Sequence, residues 1–339
     1  SGFKYPIKSY TINLAPAELK KEGPFFDVPI ALGILDNTQQ IKVPPDALYI
    51  GELSLNGDIK PIRGVISICH MALKNGIKRI YIPYDNRKEA GLISTGLDII
   101  PVKSLKELYH IINGKQPSQT YQHPIQKPVK YPWNFLEVKG QLMAKRALEV
   151  AASGQHNILF IGPPGSGKTM LLKRLPGILP DMTLTELIET YKLHSLSRKQ
   201  LSIPSIRNCR PFRNPHHTIS YAGMVGGGHT PQPGEISMAH NGVLFLDELP
   251  EFPRQVLEVL RQPLEEKTIT ISRSQFNVQY PAHFMLVAAM NPCPCGFHMD
   301  SSKSCICQKS QISKYWKKIS GPILDRIDII VEIPRLQKS

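Results

Sequence analysis

The sequence has no apolar run that approaches the roughly 20 residues of a membrane-spanning helix. Its first residues also lack the pattern of a secretory signal peptide. We therefore expect a cytoplasmic protein without a membrane partner. The chain begins with Ser1 and Gly2 instead of methionine, which favours a fragment or a trimmed chain.

Cysteine is scarce and unevenly placed: four of the six cysteines lie between positions 293 and 307. This distribution is not typical of a secreted disulfide scaffold. Hydrophobic residues make up 41% of the sequence and aromatic residues 7%, as in ordinary globular proteins. A chain of 339 residues is long enough for about two domains, each with its own core.

Acidic residues are few relative to basic ones, and the formal net charge is +14. Residues 1–113 carry 14 basic and 11 acidic side chains, whereas residues 114–339 carry 27 and 16. The basic excess of the second part points to an anionic partner such as nucleic acid. Surface charge that serves only solubility would explain the same excess.

The strongest motif lies in this basic part, between an apolar run typical of a buried strand (Asn157–Ile161) and a helical segment (Met170–Leu175). It has the spacing G-x-x-x-x-G-K-[ST] and consists of Gly162, Pro163, Pro164, Gly165, Ser166, Gly167, Lys168 and Thr169. Its glycines allow backbone N–H groups to surround phosphate oxygens. We expect Lys168 to contact the β- and γ-phosphates of ATP and Thr169 to hold Mg²⁺.

Two further apolar runs end in polar residues. Gly242–Leu246 is followed by Asp247 and Glu248, and Phe284–Met290 is followed by Asn291. A buried strand that ends in two carboxylates predicts Asp247 next to Mg²⁺ and Glu248 next to the attacking water. The pair therefore indicates ATP hydrolysis and not only ATP binding.

The clustered cysteines form two C-x-C pairs separated by nine residues: Cys293, Cys295, Cys305 and Cys307. Four thiolates could close a tetrahedral Zn²⁺ site, and free cytosolic thiols are the alternative. Two adjacent histidines, His216 and His217, are open to three interpretations: metal ligands, substrate contacts or plain surface residues.

Residues 1–113 read as alternating short strands and helices, with one strand predicted at Ser9–Leu14 and a hairpin turn at Asn56-Gly57. Residues 114–132 form a predicted linker, because proline recurs there and acidic residues are absent. A second domain is predicted over residues 133–339. Within it, a helix is expected over Arg254–Gln262, followed by a β-hairpin that carries Lys267 and Arg273.

The first domain resembles the proteolytic domain of Lon proteases in residues 22–31, 51–57 and 61–64. In that family a serine–lysine pair cleaves peptides, the lysine taking the proton of the serine. The corresponding positions here are Ile30 and Ile66, which can neither attack nor carry a proton. The resemblance implies an α+β scaffold without protease activity, whose front lies before Ser1.

The second domain resembles the core of chelatase-type AAA+ ATPases. The resemblance rests on the phosphate loop, on the strand that ends in Asp247 and Glu248, and on the segments Arg210–His217, Asn291–Gly296 and Ser320–Asp328. The resemblance implies an α/β fold with a parallel sheet flanked by helices. It also implies site roles: Val138 and Gln141 at the adenine, Asn291 as a γ-phosphate sensor, and Arg326 as a finger that enters a neighbouring subunit's ATP site. For Arg326, an ion pair with Asp325 or Asp328 is the alternative.

This order of domains resembles the YifB/ComM family of bacterial magnesium chelatase-like proteins. Membership implies a homo-hexameric ATP-driven motor on single-stranded or branched DNA, which promotes branch migration during natural transformation. The hairpin with Lys267 and Arg273 would then face DNA in the pore. Two other functions are weighed: a chelatase-like motor that remodels a protein or inserts a metal, and an ATP-fuelled protease, which Ile30 and Ile66 disfavour. The helical lid of this class would lie beyond Ser339, which is expected to weaken nucleotide binding and hexamers.

Overall fold

The computed structural model describes residues 3–4, 9–14, 23–93, 95–122, 133–196, 209–228, 231–273, 276–298, 300 and 302–335. Contacts divide the chain into two compact units, one of residues 1–126 with 194–206 and one of residues 127–193 with 207–339. Most of the predicted linker, residues 123–132, lies outside the described residues. Within the described ranges, no helix combines the length and apolar character needed to cross a bilayer.

The first unit alternates short strands with helices. Its elements are α1 (Asp27–Asn37), β1 (Ala47–Tyr49), β2 (Glu52–Leu53), β3 (Ile59–Lys60), α2 (Val65–Lys74), β4 (Arg79–Pro83), α3 (Arg87–Ala90), β5 (Asp98–Val102) and α4 (Leu105–Ile112). In the described part, β1, β4 and β5 form a parallel sheet in that order. β2 and β3 form the predicted hairpin.

Helix α1 packs on the core of this unit through Val28, Leu32 and Leu35, whose spacing places them on one helical face. Helix α4 begins at a side-chain cap, because the Ser104 hydroxyl accepts a hydrogen bond from the N–H of Glu107 at 3.2 Å. These local signals explain why the helices lie where the sequence predicts them.

The strand predicted at Ser9–Leu14 is wrong, because these residues form neither strand nor helix. Tyr10, Thr11, Ile12 and Leu14 line a mostly apolar cavity of about 350 Å³ together with Ile30, and Ile12 and Leu14 stay 50% and 41% exposed. The alternation of polar and apolar side chains therefore does not require a paired strand.

The second unit is built on a larger parallel sheet. Its helices are α5 (Leu142–Gly154), α6 (Lys168–Leu172), α7 (Leu184–Leu196, which continues into the first unit), α8 (Tyr221–Val225), α9 (Glu235–Met238), α10 (Arg254–Glu258), α11 (Arg261–Glu266), α12 (Lys309–Trp316) and α13 (Gly321–Leu324). Its strands are β6 (Ile158–Ile161), β7 (Phe212–Arg213), β8 (Gly226–Gly227), β9 (Gln232–Pro233), β10 (Val243–Leu246), β11 (Thr268–Arg273), β12 (Phe276–Pro281), β13 (Met285–Met290) and β14 (Ile329–Glu332).

Five of the described strands form the parallel sheet in the order β14-β6-β13-β10-β7. Both faces of the sheet are buried. In β10, Val243 and Phe245 belong to one hydrophobic cluster and Leu244 and Leu246 to another. A strand covered on both sides requires an unbroken apolar run, which is what the sequence shows. The predicted fold class is thereby confirmed.

The single helix predicted over Arg254–Gln262 is wrong: α10 ends at Glu258 and α11 begins at Arg261. Pro263 explains the break, since proline has no N–H to donate to the carbonyl group four residues earlier. Within α11 this proline occupies the first turn, where the N–H groups need no helical partner.

Candidate functional site

The polar residues of the site follow three neighbouring strands. The phosphate loop comes after β6, Asp247 after β10 and Asn291 after β13, and these strands are adjacent and parallel. Their carboxyl ends therefore meet at one edge of the sheet, where ligands bind in open α/β folds. Gly165 and Gly167 have φ of +79° and +89°, so the loop needs the left-handed conformation that glycine adopts readily.

Lys168 is buried and points back into its own loop. Its ammonium group donates to the carbonyl oxygens of Gly162 (2.6 Å) and Pro163 (3.0 Å), and to Oδ1 of Asn291 (3.3 Å). Burial lowers the pKa of the Lys168 ammonium group, and the carboxylates of Asp247 and Glu248 oppose this shift. A phosphate group would offer this cation stronger acceptors than neutral carbonyl groups.

Thr169 and Asp247 are brought into direct contact. The Thr169 hydroxyl donates to Oδ2 of Asp247 at 2.8 Å, although the two residues are 78 positions apart. A hydroxyl group and a carboxylate are hard oxygen ligands, which suit Mg²⁺. The two oxygens predicted to share a magnesium ion therefore lie side by side.

Glu248 is exposed and its φ is +55°, an uncommon value for a residue other than glycine. Its carboxylate lies 3.4 Å from Nδ1 of His217. His217 follows β7, which pairs with β10, so the two residues come from neighbouring strand ends. The contact places His217 beside Glu248, and the role that the sequence left open for this histidine stays a prediction. The adjacency of β7 and β10 is the signal that would have shown this contact.

Two arginines of the segment Arg210–His217, in which His217 also lies, form ion pairs with acidic side chains. Arg210 is buried and pairs with Glu186 at 2.8 Å, and Arg213 pairs with Glu235 at 2.5 Å. Both guanidinium groups make two contacts with their carboxylates, which fixes their orientation. These arginines therefore add little free positive charge for an anionic partner.

The loop is also tied to the start of the unit. The side-chain amide of Gln141 donates to the carbonyl oxygens of Ser166 (3.2 Å) and Pro334 (2.8 Å). Val138 is buried, and its carbonyl oxygen accepts a hydrogen bond from Lys145. The predicted adenine contacts of Val138 and Gln141 stay predictions, but Gln141 has a clear structural role in bracing the loop.

The loop fits a phosphate ligand in one further respect. The hydroxyl oxygen of Ser166 is buried, and within the described structure it has no hydrogen-bond partner. Buried polar atoms normally have partners, and a phosphate oxygen at this loop would supply one to the Ser166 hydroxyl. Ser166, the cation of Lys168 and the Thr169–Asp247 pair together suit a nucleoside triphosphate with Mg²⁺.

The four clustered cysteines lie together. The sulfur of Cys293 is 3.4 Å from that of Cys295 and 3.7 Å from that of Cys305. The four sulfurs, including that of Cys307, lie within 4.8 Å of one another. Tetrahedral zinc with Zn–S distances of about 2.3 Å requires sulfurs about 3.8 Å apart. The spacing therefore fits a zinc site, with each cysteine supplying one ligand.

The electrostatics differ among the four thiols. For Cys305 and Cys307 a backbone hydrogen bond lowers the pKa, but burial and the neighbouring Cys295 and Cys293 sulfurs outweigh it, so the pKa of both thiols is raised. Hydrogen bonds from the backbone N–H groups of Phe297 and Ile306 lower the pKa of the Cys295 thiol to about 6. Among the described residues, His216 and His217 are not part of this group. Of the three interpretations left open for the histidines, the metal-ligand one thus gains no support at this cluster.

Arg326 is paired within its own chain. Its guanidinium group forms an ion pair with Glu265 and donates to the carbonyl oxygen of Pro322 at 2.5 Å. This partner is neither of the two aspartates considered from the sequence. The side chain is 25% exposed, so it remains partly accessible from outside the subunit.

The two basic residues assigned to the hairpin lie at opposite ends of it. Lys267 follows α11 and its carbonyl oxygen accepts from the N–H of Ala282, which places it at the base. Arg273 pairs with Phe276 next to the turn. At about 3.3 Å per residue, the two positions are about 20 Å apart along the strand. The predicted contact of these two residues with DNA stays a prediction.

In the first unit, the positions that correspond to the serine–lysine pair are apolar in their surroundings as well as in their identity. Ile66 is fully buried in α2, and Ile30 lines the cavity described above. Neither position offers a nucleophile or a base.

Comparisons with known proteins find relatives that match both units. Residues 134–339 match the family described as magnesium chelatase, subunit ChlI, and residues 1–86 match a related description, subunit ChlI of Mg-chelatase. Competence protein ComM of Haemophilus influenzae is 44% identical over 341 residues, which cover 98% of this chain and 66% of that protein. YifB of Escherichia coli is 43% identical over 342 residues, covering 98% and 65%.

The first unit has a separate likeness. Lon protease 2 of Bacillus subtilis is 33% identical over 104 residues, which cover 31% of this chain and 19% of that protein.

The chain spans about two thirds of the length of the ComM and YifB relatives, 66% and 65%.

Proposed function

Because the chain belongs to the YifB/ComM family of magnesium chelatase-like proteins, we propose that it is an ATP-hydrolysing AAA+ motor that acts on DNA. The contact between Thr169 and Asp247 carries the ATPase part of this proposal, since it joins the two predicted Mg²⁺ ligands at the phosphate loop. The relative from Haemophilus influenzae is named a competence protein. We place this motor in natural transformation and recombination, as a helicase or branch-migration translocase.

Each polar residue has a distinct task in the proposed reaction. The loop amides and Lys168 bind the phosphates, and Thr169 and Asp247 hold Mg²⁺, which neutralises phosphate charge when bound. Glu248 accepts a proton from the attacking water. Asn291 already contacts Lys168, so it is placed to respond to the same phosphate.

DNA is the proposed partner because the basic excess lies in residues 114–339, the same part of the chain that carries the phosphate loop. The hairpin β11–β12 is the proposed contact, and β13 follows it after three residues and ends at Asn291. This connection would couple the nucleotide site to the DNA contact. On single-stranded DNA, each lost phosphate contact should flatten the salt dependence by about 0.7 log units per log of salt.

The decisive experiment measures ATP hydrolysis by the purified protein with and without single-stranded or branched DNA. Stimulation by DNA is the expected result, and Arg273→Ala should reduce it and flatten the salt slope more than Lys267→Ala, because Arg273 lies at the turn. Hydrolysis that never responds to DNA would contradict the DNA motor. In that case the chelatase-like alternative, favoured by the match of residues 134–339 to a magnesium chelatase subunit, would take its place.

A hexameric ring is proposed for the working state, with Arg326 acting on the ATP site of the next subunit. Such a finger contributes about 10³–10⁵ in rate in related phosphoryl-transfer systems. Arg326→Ala and Lys168→Ala proteins, each inactive alone, should regain partial ATPase activity when mixed. Rings that form from the mixture without regaining activity would contradict the action in trans.

The cysteine cluster is proposed as a structural zinc site, held by Cys293, Cys295, Cys305 and Cys307. Purified protein never exposed to chelator should contain about one zinc per chain. Elemental analysis that finds no zinc would overturn this assignment without affecting the proposed ATPase activity.

A further inference from the structure

The described part of the segment that carries the four cysteines, residues 293–298, 300 and 302–307, lies against the phosphate loop. We call it the cysteine loop. It begins two residues after Asn291, whose side chain accepts a hydrogen bond from Lys168. The Asn291 side chain therefore links the start of the cysteine loop to Lys168 of the phosphate loop.

A second contact joins Gly296 and Pro164. Gly296 has a φ of +85°, and a Cβ atom at this position would lie 2.6 Å from Cδ of Pro164 and 2.8 Å from its Cγ. Real Cβ atoms do not come so close to a ring carbon. The backbone of the cysteine loop thus packs directly on the proline ring of the phosphate loop, at a distance that only glycine allows.

A third contact runs through Arg335. Its guanidinium group donates to the carbonyl oxygen of Pro164 at 3.0 Å and lies 3.2 Å from a carboxylate oxygen of Asp300. Asp300 belongs to the cysteine loop. Arg335 therefore bridges the two loops by charge and by a hydrogen bond, at the same proline that Gly296 touches.

The four cysteines determine whether the cysteine loop is held in a single conformation. Cys293 and Cys295 lie at its start and Cys305 and Cys307 at its end, so one metal ion would cross-link both ends. The start is also anchored by Trp316, whose indole N–H donates to the carbonyl oxygen of Pro292 at 3.1 Å. Without an ion, the two ends are joined by contacts between thiols and by a weak hydrogen bond from the N–H of Cys295 to the sulfur of Cys307 at 3.4 Å. These hold the loop less firmly, because metal binding at such sites contributes directly to folding.

We propose that the metal ion of the cysteine loop is a positioning group for the ATP site: by holding this loop against Pro164, it keeps the phosphate loop ready to bind nucleotide. The proposal rests on the zinc site proposed above. No cysteine needs to touch the nucleotide, and the ion takes no part in hydrolysis. The coupling passes through Gly296, Arg335 and Asn291.

Coupling between two sites is reciprocal, which gives two independent measurements. The first is the affinity for a fluorescent ADP analogue, with zinc content determined on the same samples. Cys305→Ser combined with Cys307→Ser should lose zinc and weaken nucleotide binding by about 5- to 150-fold, the usual range for coupled sites. Cys209→Ser, which replaces a cysteine outside the cluster, should keep both zinc and affinity.

The second measurement needs no cysteine variant and so does not depend on how that variant folds. Zinc loss from the unaltered protein to a zinc-selective chelator, in excess Mg²⁺, should be slower when ADP is bound. Hydrogen exchange of residues 158–172 should rise as zinc is removed, while exchange in β4 of the first unit stays unchanged.

Gly296→Ala separates the contact from the metal. Its methyl group would push against Pro164 without touching a sulfur, so zinc should stay bound while nucleotide affinity falls. Gly76→Ala is the matched control, because Gly76 also has a positive φ of +72° and no atom lies within 4 Å of the added methyl group.

The outcomes that overturn the inference differ from those that overturn the zinc site. Loss of zinc with nucleotide affinity kept within twofold would refute the coupling and leave the zinc site standing. Gly296→Ala protein that keeps both zinc and full affinity would also refute it. Unaltered protein without any zinc would refute the metal site itself, and the inference with it.

Discussion

The two units of this chain use similar architecture and differ in what they keep at their functional positions. Both contain parallel strands covered by helices. In the second unit, Lys168, Asp247 and Asn291 gather at the ends of neighbouring strands. In the first, the positions that correspond to the serine–lysine pair of Lon proteases hold Ile30 and Ile66. A fold persists through its packing, whereas an activity needs particular polar groups at particular positions.

The two units also differ in the free-energy cost of the groups that they bury at these positions. Polar groups at a buried site cost free energy unless they are fully paired. The second unit accepts this cost at Ser166 and Lys168, one without a partner in the described structure and the other paired with loop carbonyl groups. Isoleucine in the first unit avoids it altogether. The first unit is therefore apolar at the two positions where Lon proteases carry polar groups.

The largest effect is predicted at Glu248 in the second unit. Glu248→Gln should reduce ATP turnover by about 10²–10⁴-fold while ATP still binds, because an amide cannot accept a proton from water. Steady-state hydrolysis and nucleotide binding are measured together. Glu251→Gln is the control, since Glu251 is exposed and pairs with Lys318 outside the site. Unchanged turnover in Glu248→Gln would remove this residue from the mechanism.

The first unit provides the opposite test. The unaltered protein should not cleave unfolded casein, with or without ATP, and steady cleavage would contradict the difference between the two units.

Ile66→Lys should lower the free energy of unfolding by about 3–5 kcal/mol, because it leaves an unpaired charge in the core. Ile66→Val should cost only about 0.5–1.5 kcal/mol. Denaturant titration of both variants measures the contrast.

A buried carboxyl group in the first unit predicts a pH dependence of stability. Burial raises the pKa of Glu89 from its usual value near 4.5 to about 7, although a hydrogen bond from Asn86 opposes the shift. The folded chain therefore holds this proton more tightly than the unfolded chain does. The associated stability is fully present below about pH 4.5 and is lost as the pH rises through about 7.

The variant Glu89→Gln isolates this contribution, because a neutral amide does not titrate. The difference in unfolding free energy between the unaltered protein and the variant should change by about 1–3 kcal/mol between pH 4.5 and 8. A difference that stays constant over this range would contradict the buried, protonated carboxyl group.

The smallest effect is predicted at His217, which sharpens the comparison by separating a positioning residue from a reacting one. His217→Ala should lower turnover by up to about tenfold, because a partly exposed contact contributes little more than about 1 kcal/mol. Nucleotide affinity should stay unchanged. A loss as large as that of Glu248→Gln would mean that His217 does more than orient the carboxylate.

Much of the fold was predictable because strong local patterns coincide with tertiary requirements. β6, β10 and β13 are buried on both faces, and this requires unbroken apolar runs. The predicted segments failed where a local pattern had two possible causes. The alternation at Ser9–Leu14 fits both a paired strand and an unpaired segment, and the helical pattern around Val259 did not show the break before Pro263.

The supporting contacts of the site were not predictable in the same way. Arg335 reaches Pro164 across 171 positions, and Gln141 reaches Pro334 across 193. No local spacing encodes such contacts, because they depend on how the strands are ordered in the sheet. The contact between His217 and Glu248 is intermediate in how well the sequence predicts it. Once β7 and β10 are known to be neighbours, the residues that follow these strands are expected to meet.

The ion pair between Arg326 and Glu265 has a consequence for how the proposed ring would assemble. In a lone subunit the finger is already neutralised by a carboxylate of its own chain. Reaching a neighbour's ATP site would exchange one anion for another, so the gain in attraction depends on the charge of the nucleotide found there. A triphosphate carries more negative charge than a diphosphate, and the exchange is therefore more favourable before hydrolysis than after it. The same residue that would promote hydrolysis would then make each subunit boundary tighten with ATP and loosen with ADP, which ties the cohesion of the ring to the progress of its own reaction.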